Sequence, residues 1–149
     1  MIDNKDLLII NALKRDARAP IAKIAKETGL PGTTVHNRIK KLREEGAIRG
    51  YTINVDNKKL GKEIAAYIAI TVDYKLLKEK NSTQYALAEK IGKLPFVEEA
   101  NMITGISDIL VKIRVKNIDE LNNFVTKELR NYDGVEKTQT MVILSEVMD

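Results

Sequence analysis

The 149-residue chain contains no cysteine and no tryptophan, only one histidine and three prolines. Without cysteine there is no disulfide, no thiolate metal site and no Cys nucleophile. A lone His36 cannot build a histidine cluster, and no Ser or Lys stands at a spacing that supplies a base partner. No catalytic residue, metal site, cofactor or enzymatic activity is therefore expected. Apolar runs of about eighteen residues are also missing, so no membrane-spanning helix and no membrane partner are expected. The opening Met1-Ile2-Asp3 lacks the basic segment and apolar stretch of a signal peptide, which points to a cytoplasmic protein.

What the chain has is enough apolar content, 44%, to bury one ordinary core or two small ones. Its net charge of +4 is unevenly spread. Residues 1–63 hold 14 Lys and Arg against 8 Asp and Glu, a balance of +6, while residues 64–149 hold 11 against 13, a balance of −2. A basic front on a faintly acidic body suits a protein that brings one end to a polyanion and the other to something else.

The basic part is organised around Ile21 to Glu45, IAKIAKETGLPGTTVHNRIKKLREE. Ile21, Ile24 and Ala25 recur at helical spacing, Gly29-Leu30-Pro31 interrupts, and Val35, Ile39 and Leu42 restart the period. Gly29 can take the positive φ of a tight exit, Ala25 lets two helices cross closely, and Leu30 can plug the corner. The pattern reads as a helix-turn-helix. Off the apolar stripe of its second helix lie Thr33, Thr34, His36, Asn37, Arg38, Lys40, Lys41 and Arg43, the candidate DNA-binding residues. Asn, Thr and His can bond base edges in the major groove, while Lys and Arg reach phosphates. The bland alternative is a solvated helical face that happens to be basic. Helical spacing sends Thr33, His36, Asn37 and Lys40 to the groove and leaves Arg38, Lys41 and Arg43 to contact phosphate or brace the module.

Before this pair, Asp3 can cap a helix carrying Asp6 in its first turn and an apolar stripe of Leu7, Ile10 and Leu13. Asp16 to Pro20 ends that helix and begins the next. After it, Gly46 closes the recognition helix, and Ala47 to Val55, AIRGYTINV, alternates as a hairpin or wing does, with Arg49 and Tyr51 within reach of a DNA backbone. The same segment can simply lead the chain away from the first domain. Residues 1–50 thus form the expected DNA-binding domain, 51–63 a hinge strand and polar linker with the boundary near Gly61, and 64–149 a second domain.

In that second domain Ile64, Ala66, Ile68, Ile70 and Val72 alternate as a strand with one buried face. A helix capped by Ser82 or Thr83 follows, with Leu87, Ile91 and Leu94 inward, and Pro95 ends it. Val97 to about Thr104 and Ile109 to Val115 form an antiparallel pair. Asn117 caps a second helix with Leu121, Phe124, Val125 and Leu129 inward, and Asp133-Gly134 turns the chain into a last strand, Val135 to Ser145. The order β-α-β-β-α-β predicts a ferredoxin-like α+β domain with both helices on one face. Tyr67, Ala69, Thr71, Leu110, Gln139, Met141 and Ile143 are too apolar for a wetted outer face, which predicts self-association.

The segments DLLIINAL, DAR and TTVHNRIKKLREEGAI, followed by a β-α-β-β-α-β domain carrying TGISDIL, resemble the prokaryotic Lrp/AsnC (feast/famine) transcription regulators over nearly the whole chain. The resemblance implies a sequence-specific, double-stranded-DNA-binding regulator that forms a homodimer through its C-terminal sheets and assembles further into tetramers or octamers. It also implies an amino-acid effector at the loop joining the second and third strands, here Thr104, Gly105, Ile106, Ser107 and Asp108. Gly105 lets backbone amides approach a carboxylate, Asp108 can take an ammonium group, and Thr138 and Thr140 can add hydroxyls. Without the resemblance, Gly105 and Asp108 read as plain turn residues. Two positions differ from the family's habit. Pro31 follows Leu30 where a Ser is common, so Thr33 is expected to cap one turn late, shortening the recognition helix and weakening it by about 1 kcal/mol. Ile106 stands where many relatives carry an aromatic residue. The competing function for such a basic module is an architectural protein that coats DNA with little sequence preference and no small effector.

Overall fold

The computed structural model describes residues 1–147 and divides the chain into two compact units, Met1–Val55 and Asp56–Asp149. Met148 and Asp149, the end of the expected second domain, lie outside the described residues.

The first unit is three helices, α1 (Asn4–Arg15), α2 (Ile21–Thr28) and α3 (Gly32–Glu44). Ile9, Ala12, Ile24 and Val35 form its buried centre, with Leu13, Ile21, Ala25, Leu30 and Ile39 packed around them. Gly29 exits α2 at φ +68° and Leu30 fills the corner, as the spacing requires. The stripe of α1 is rotated from the expected one. Asp6, Ile9 and Ala12 are buried, while Leu7 is half exposed. The segment DLLIINAL is apolar on most sides, so its phase is set by what it touches, not by its own period. The start of α3 also differs. Pro31 occupies the cap position and the helix begins at Gly32, so Thr33 lies inside the first turn and the helix keeps 13 residues. Pro31 supplies the fixed φ that suits a helix start, but no side-chain cap bond is made there. Gly46 ends α3 at φ +74°.

No strand forms between Ala47 and Val55 among the described residues, so the expected wing is absent. Alternation gives a segment two faces, but its N–H and C=O groups need a paired strand, and the first unit contains none. Ile53 is left 79% exposed.

The second unit is an antiparallel sheet in the order β2-β3-β1-β4, built from β1 (Ile64–Val72), β2 (Val97–Met102), β3 (Ile109–Val115) and β4 (Val135–Val142). Between β1 and β2 come α4 (Tyr74–Glu79) and α5 (Gln84–Gly92), and between β3 and β4 comes α6 (Ile118–Asn123), which runs on through a wide turn at Phe124–Glu128. Thr83 and Asn117 cap α5 and α6 as expected. Helix α4 was not expected. It has six residues, too few to show a period, and is capped by Asp73. Ala66, Ile68, Ile70 and Val72 face Ile109, Val111, Ile113, Val115 and the apolar sides of α5 and α6 in one core, so the helices cover one side of the sheet. Ile109, Val111, Ile113 and Val115 are fully buried. The opposite side carries Tyr67 between Lys112 and Met141, and Ala69 between Leu110 and Gln139.

That outer face is less apolar at one end than its alternation suggested. Arg114, with its side chain 8% exposed, donates to Glu98 at 2.7 Å and to Glu146 at 2.7 Å. Lys112 stands 3.8 Å from the same two carboxylates. The pairing raises the Arg114 pKa and lowers that of Glu146, each held charged by the other.

Candidate DNA interface and effector loop

Helix α3 presents two sides of different character. Val35 and Leu42 are buried and Ile39 half-buried, which fixes the rotation of the helix. Thr33, His36, Asn37 and Lys40 then fall together on the outward side, all exposed. Thr34 is half-buried at the flank. The cluster combines one amide, one imidazole, one hydroxyl and one ammonium within two turns, a donor and acceptor set suited to base edges.

The remaining basic residues separate. Arg38 does not extend to solvent. Its Nη1 reaches the two carboxylate oxygens of Asp3 at 2.7 Å and Oδ1 of Asp6 at 2.9 Å. Asp3 and Asp6 are the reciprocal cap of α1, each side chain accepting the other's backbone N–H at 3.0 Å. Arg38 is thus the brace between α1 and α3, and of the two roles open to it the phosphate contact is not the one it occupies. The guanidinium and the cap's N–H donation hold the Asp3 carboxyl down at about 2. Lys40 and Lys41 stand 3.9 and 3.7 Å from Glu44 and Glu45, exposed i,i+4 pairs that add little and release their lysines at small cost. Arg43 lies 6.0 Å from the centre of the Tyr51 ring, at the outer limit of a cation–π contact.

In the second unit, Thr104, Gly105 and Ile106 are exposed, and Ile106 is 99% so. Gly105 has φ +121°, a conformation L side chains rarely adopt. Asp108 is already engaged. Its Oδ2 accepts from the Val72 N–H and its Oδ1 from the Tyr74 hydroxyl, both at 2.8 Å, and its carbonyl accepts from Gln84 Nε2 at 2.8 Å. Tyr74 and Gln84, like Asp3 and Asp6, carry no spacing signal that marks them as partners of a residue more than twenty positions away. Thr138 and Thr140 do not join this loop within one chain. They pair with Ile70 and Ile68 on the far edge of β1, whereas the Asp108 N–H bonds Ile70 from the near edge. That leaves about two inter-strand spacings of ~4.8 Å between Thr138 and the loop. Thr138 instead accepts from Arg130 Nε at 3.2 Å. No cluster of His, Cys, Asp or Glu able to hold a metal exists among the described residues.

Comparison with known families identifies both units. Residues 2–43 match the AsnC-type helix-turn-helix domain and residues 65–149 the Lrp/AsnC ligand binding domain. The chain belongs to the Lrp/AsnC family. It is a transcriptional regulator of that type, with a helix-turn-helix unit followed by an α+β unit. The Lrp/AsnC chain is 40% identical to the HTH-type transcriptional regulator FL11 of Pyrococcus furiosus, covering 97% of this chain and 90% of that one. It is 33% identical to the regulator LrpA of Pyrococcus horikoshii over 99% of each. Among solved structures it superposes on AsnC of E. coli with a TM-score of 0.84 at 29% identity, covering 100% of this chain and 96% of that one. It matches the fold of a Neisseria meningitidis transcriptional regulator, solved as an L-Met complex, with a TM-score of 0.89 at 20% identity over 100% and 94% of the two chains.

Proposed function

We propose that this Lrp/AsnC regulator binds operator DNA sequence-specifically, as a homodimer with α3 of each copy in the major groove, and that an amino acid bound at the Thr104–Asp108 loop regulates it through assembly into tetramers or octamers. The observation that carries the reading is the outward side of α3, where Thr33, His36, Asn37 and Lys40 are exposed together while Val35 and Leu42 anchor the helix. Homodimerisation rests on the apolar outer sheet face around Tyr67, Ala69, Leu110 and Met141. The effector reading rests on the ligand-binding description of the matched domain and on the amino acid held by the Neisseria relative. A cytoplasmic, non-enzymatic regulator fits this role.

A two-fold dimer reads inverted half-sites about one helical turn, roughly 10 bp, or a multiple of it, apart. In vitro selection from random duplexes with the full chain is expected to enrich such repeats, and sedimentation at micromolar concentration to show no folded monomer. Recovery of duplexes with no shared motif would replace this reading with that of an architectural coating protein. A folded monomer would remove the basis for the palindrome.

A further inference from the structure

The tip of the loop between β2 and β3 has no burial to hold it. Thr104, Gly105 and Ile106 are exposed, and no ladder pairing covers the residues between Met102 and Ile109. Its shape depends on polar ties, and these converge on Asp108. The Asp108 N–H donates to the Ile70 carbonyl at 2.9 Å, and its carbonyl takes the Ile103 N–H at 2.9 Å, closing the loop on itself. The other ties lead to two helix starts. Tyr74, the first residue of α4, donates its hydroxyl to Oδ1, and Gln84, the first residue of α5, donates Nε2 to the carbonyl. Tyr74 is 54% exposed, so apolar packing does not account for its placement.

We propose that Tyr74 and Gln84 are positioning residues of the effector loop: through Asp108 they lock residues 104–107 in the shape offered to an amino acid. The claim deepens the effector reading and rests on it. A hydroxyl donating to a carboxylate is a charge-assisted bond, stronger than a neutral one. The bond also raises the Tyr74 pKa above its usual 10.0, as donation to a carboxylate does. Phenylalanine at position 74 preserves the ring and removes the hydroxyl, which also lies 3.0 Å from Gln84 Oε1, and methionine at 84 keeps the length without the amide.

The test uses the full-length protein with Tyr74→Phe, Gln84→Met and the double variant. NMR-detected exchange is read at the amides of Val72, Ile103 and Asp108, the three whose bonds pass through Asp108. Each of the twenty proteinogenic amino acids is then titrated calorimetrically against wild type and variants. DNA affinity without added amino acid serves as the control and is expected to stay unchanged, while the melting temperature is expected to fall by no more than several degrees. The double variant, which loses one charge-assisted and one neutral bond, should exchange those amides at least about tenfold faster and bind the active amino acid at least about tenfold more weakly. Unchanged exchange overturns the positioning role. Faster exchange with equal binding by wild type and variant shows a structural tie only and also overturns it. If wild type binds none of the twenty, the effector reading fails and takes the ligand-serving half of the claim with it, while the exchange result still decides whether the loop is locked this way.

Discussion

Replacing Gly134 by alanine is expected to destabilise the second unit far more than the same change at Gly105, although both glycines sit at positive φ. At Gly134, with φ +98°, an added Cβ lies 2.4 Å from Leu77 Cδ2, 2.9 Å from Leu77 Cγ and 3.2 Å from Leu87 Cδ2. Leu77 and Leu87 are 3% and 2% exposed in the sheet core, so neither can swing aside without disturbing its neighbours. Backbone strain at positive φ costs about 1–2 kcal/mol, and overpacking a filled core adds about 1–3 kcal/mol. The sum, about 2–5 kcal/mol, is a large part of the 5–15 kcal/mol typical of a folded domain. At Gly105, with φ +121°, nothing lies within 4 Å of the added Cβ, so only the strain of about 1–2 kcal/mol remains. Urea unfolding of the full chain, followed by circular dichroism and tyrosine fluorescence, measures both. Pairing Gly134→Ala with Leu77→Ala separates clash from strain. If the clash is real, the double variant loses less than the two single losses together, by about 1–3 kcal/mol. A Gly134→Ala loss no larger than that of Gly105→Ala, or additive losses in the double variant, would refute this packing argument.

Two further outcomes follow from the same geometry. The depressed Asp3 pKa means its stabilising contribution is whole above the ordinary value of 3.8 and is lost as pH falls toward about 2. Arg38 is the largest cause, so Arg38→Ala should melt below wild type at pH 5, with the difference narrowing steadily in scans down to pH 2. A gap that stays constant across that window rejects the brace. Gly105→Val adds a branched side chain at a positive φ and should abolish the response to amino acids in calorimetry and light scattering, while dimers still bind one operator in gel shifts. A retained response moves the ligand away from the loop.

The helices of the first unit were legible because Ile21, Ile24, Val35, Ile39 and Leu42 keep one period and Gly29 breaks it. The phase of α1 was not, because DLLIINAL offers more than one apolar stripe and the choice rests on Asp6 meeting Arg38 32 positions away. The sheet unit was readable from alternation in β1 and β3 and from the Thr83 and Asn117 caps. A six-residue helix such as α4 has no period to read, and Ala47–Val55 has the alternation of a strand without a partner within its unit. At the sites, the outward residues of α3 follow from helical spacing alone. The ties of Asp108 to Tyr74 and Gln84, and of Arg114 to Glu98 and Glu146, are long-range polar contacts, that of Gln84 reaching the Asp108 backbone carbonyl. Neither period nor composition records those contacts, and only the fold brings them together.

The central claim, that the outward side of α3 reads DNA sequence, is tested most directly by Asn37→Ala measured against a selected operator and a random duplex at one salt concentration. Asn37 is exposed, and alanine is the better helix former, so folding should not suffer. Fluorescence anisotropy is expected to show a loss of about 1–3 kcal/mol for each half-site contacted by the dimer on the operator, with random-duplex affinity nearly unchanged. Lys41→Ala, run beside it, should weaken both duplexes alike and reduce the salt dependence of binding. Equal losses on operator and random DNA for Asn37→Ala would contradict the account.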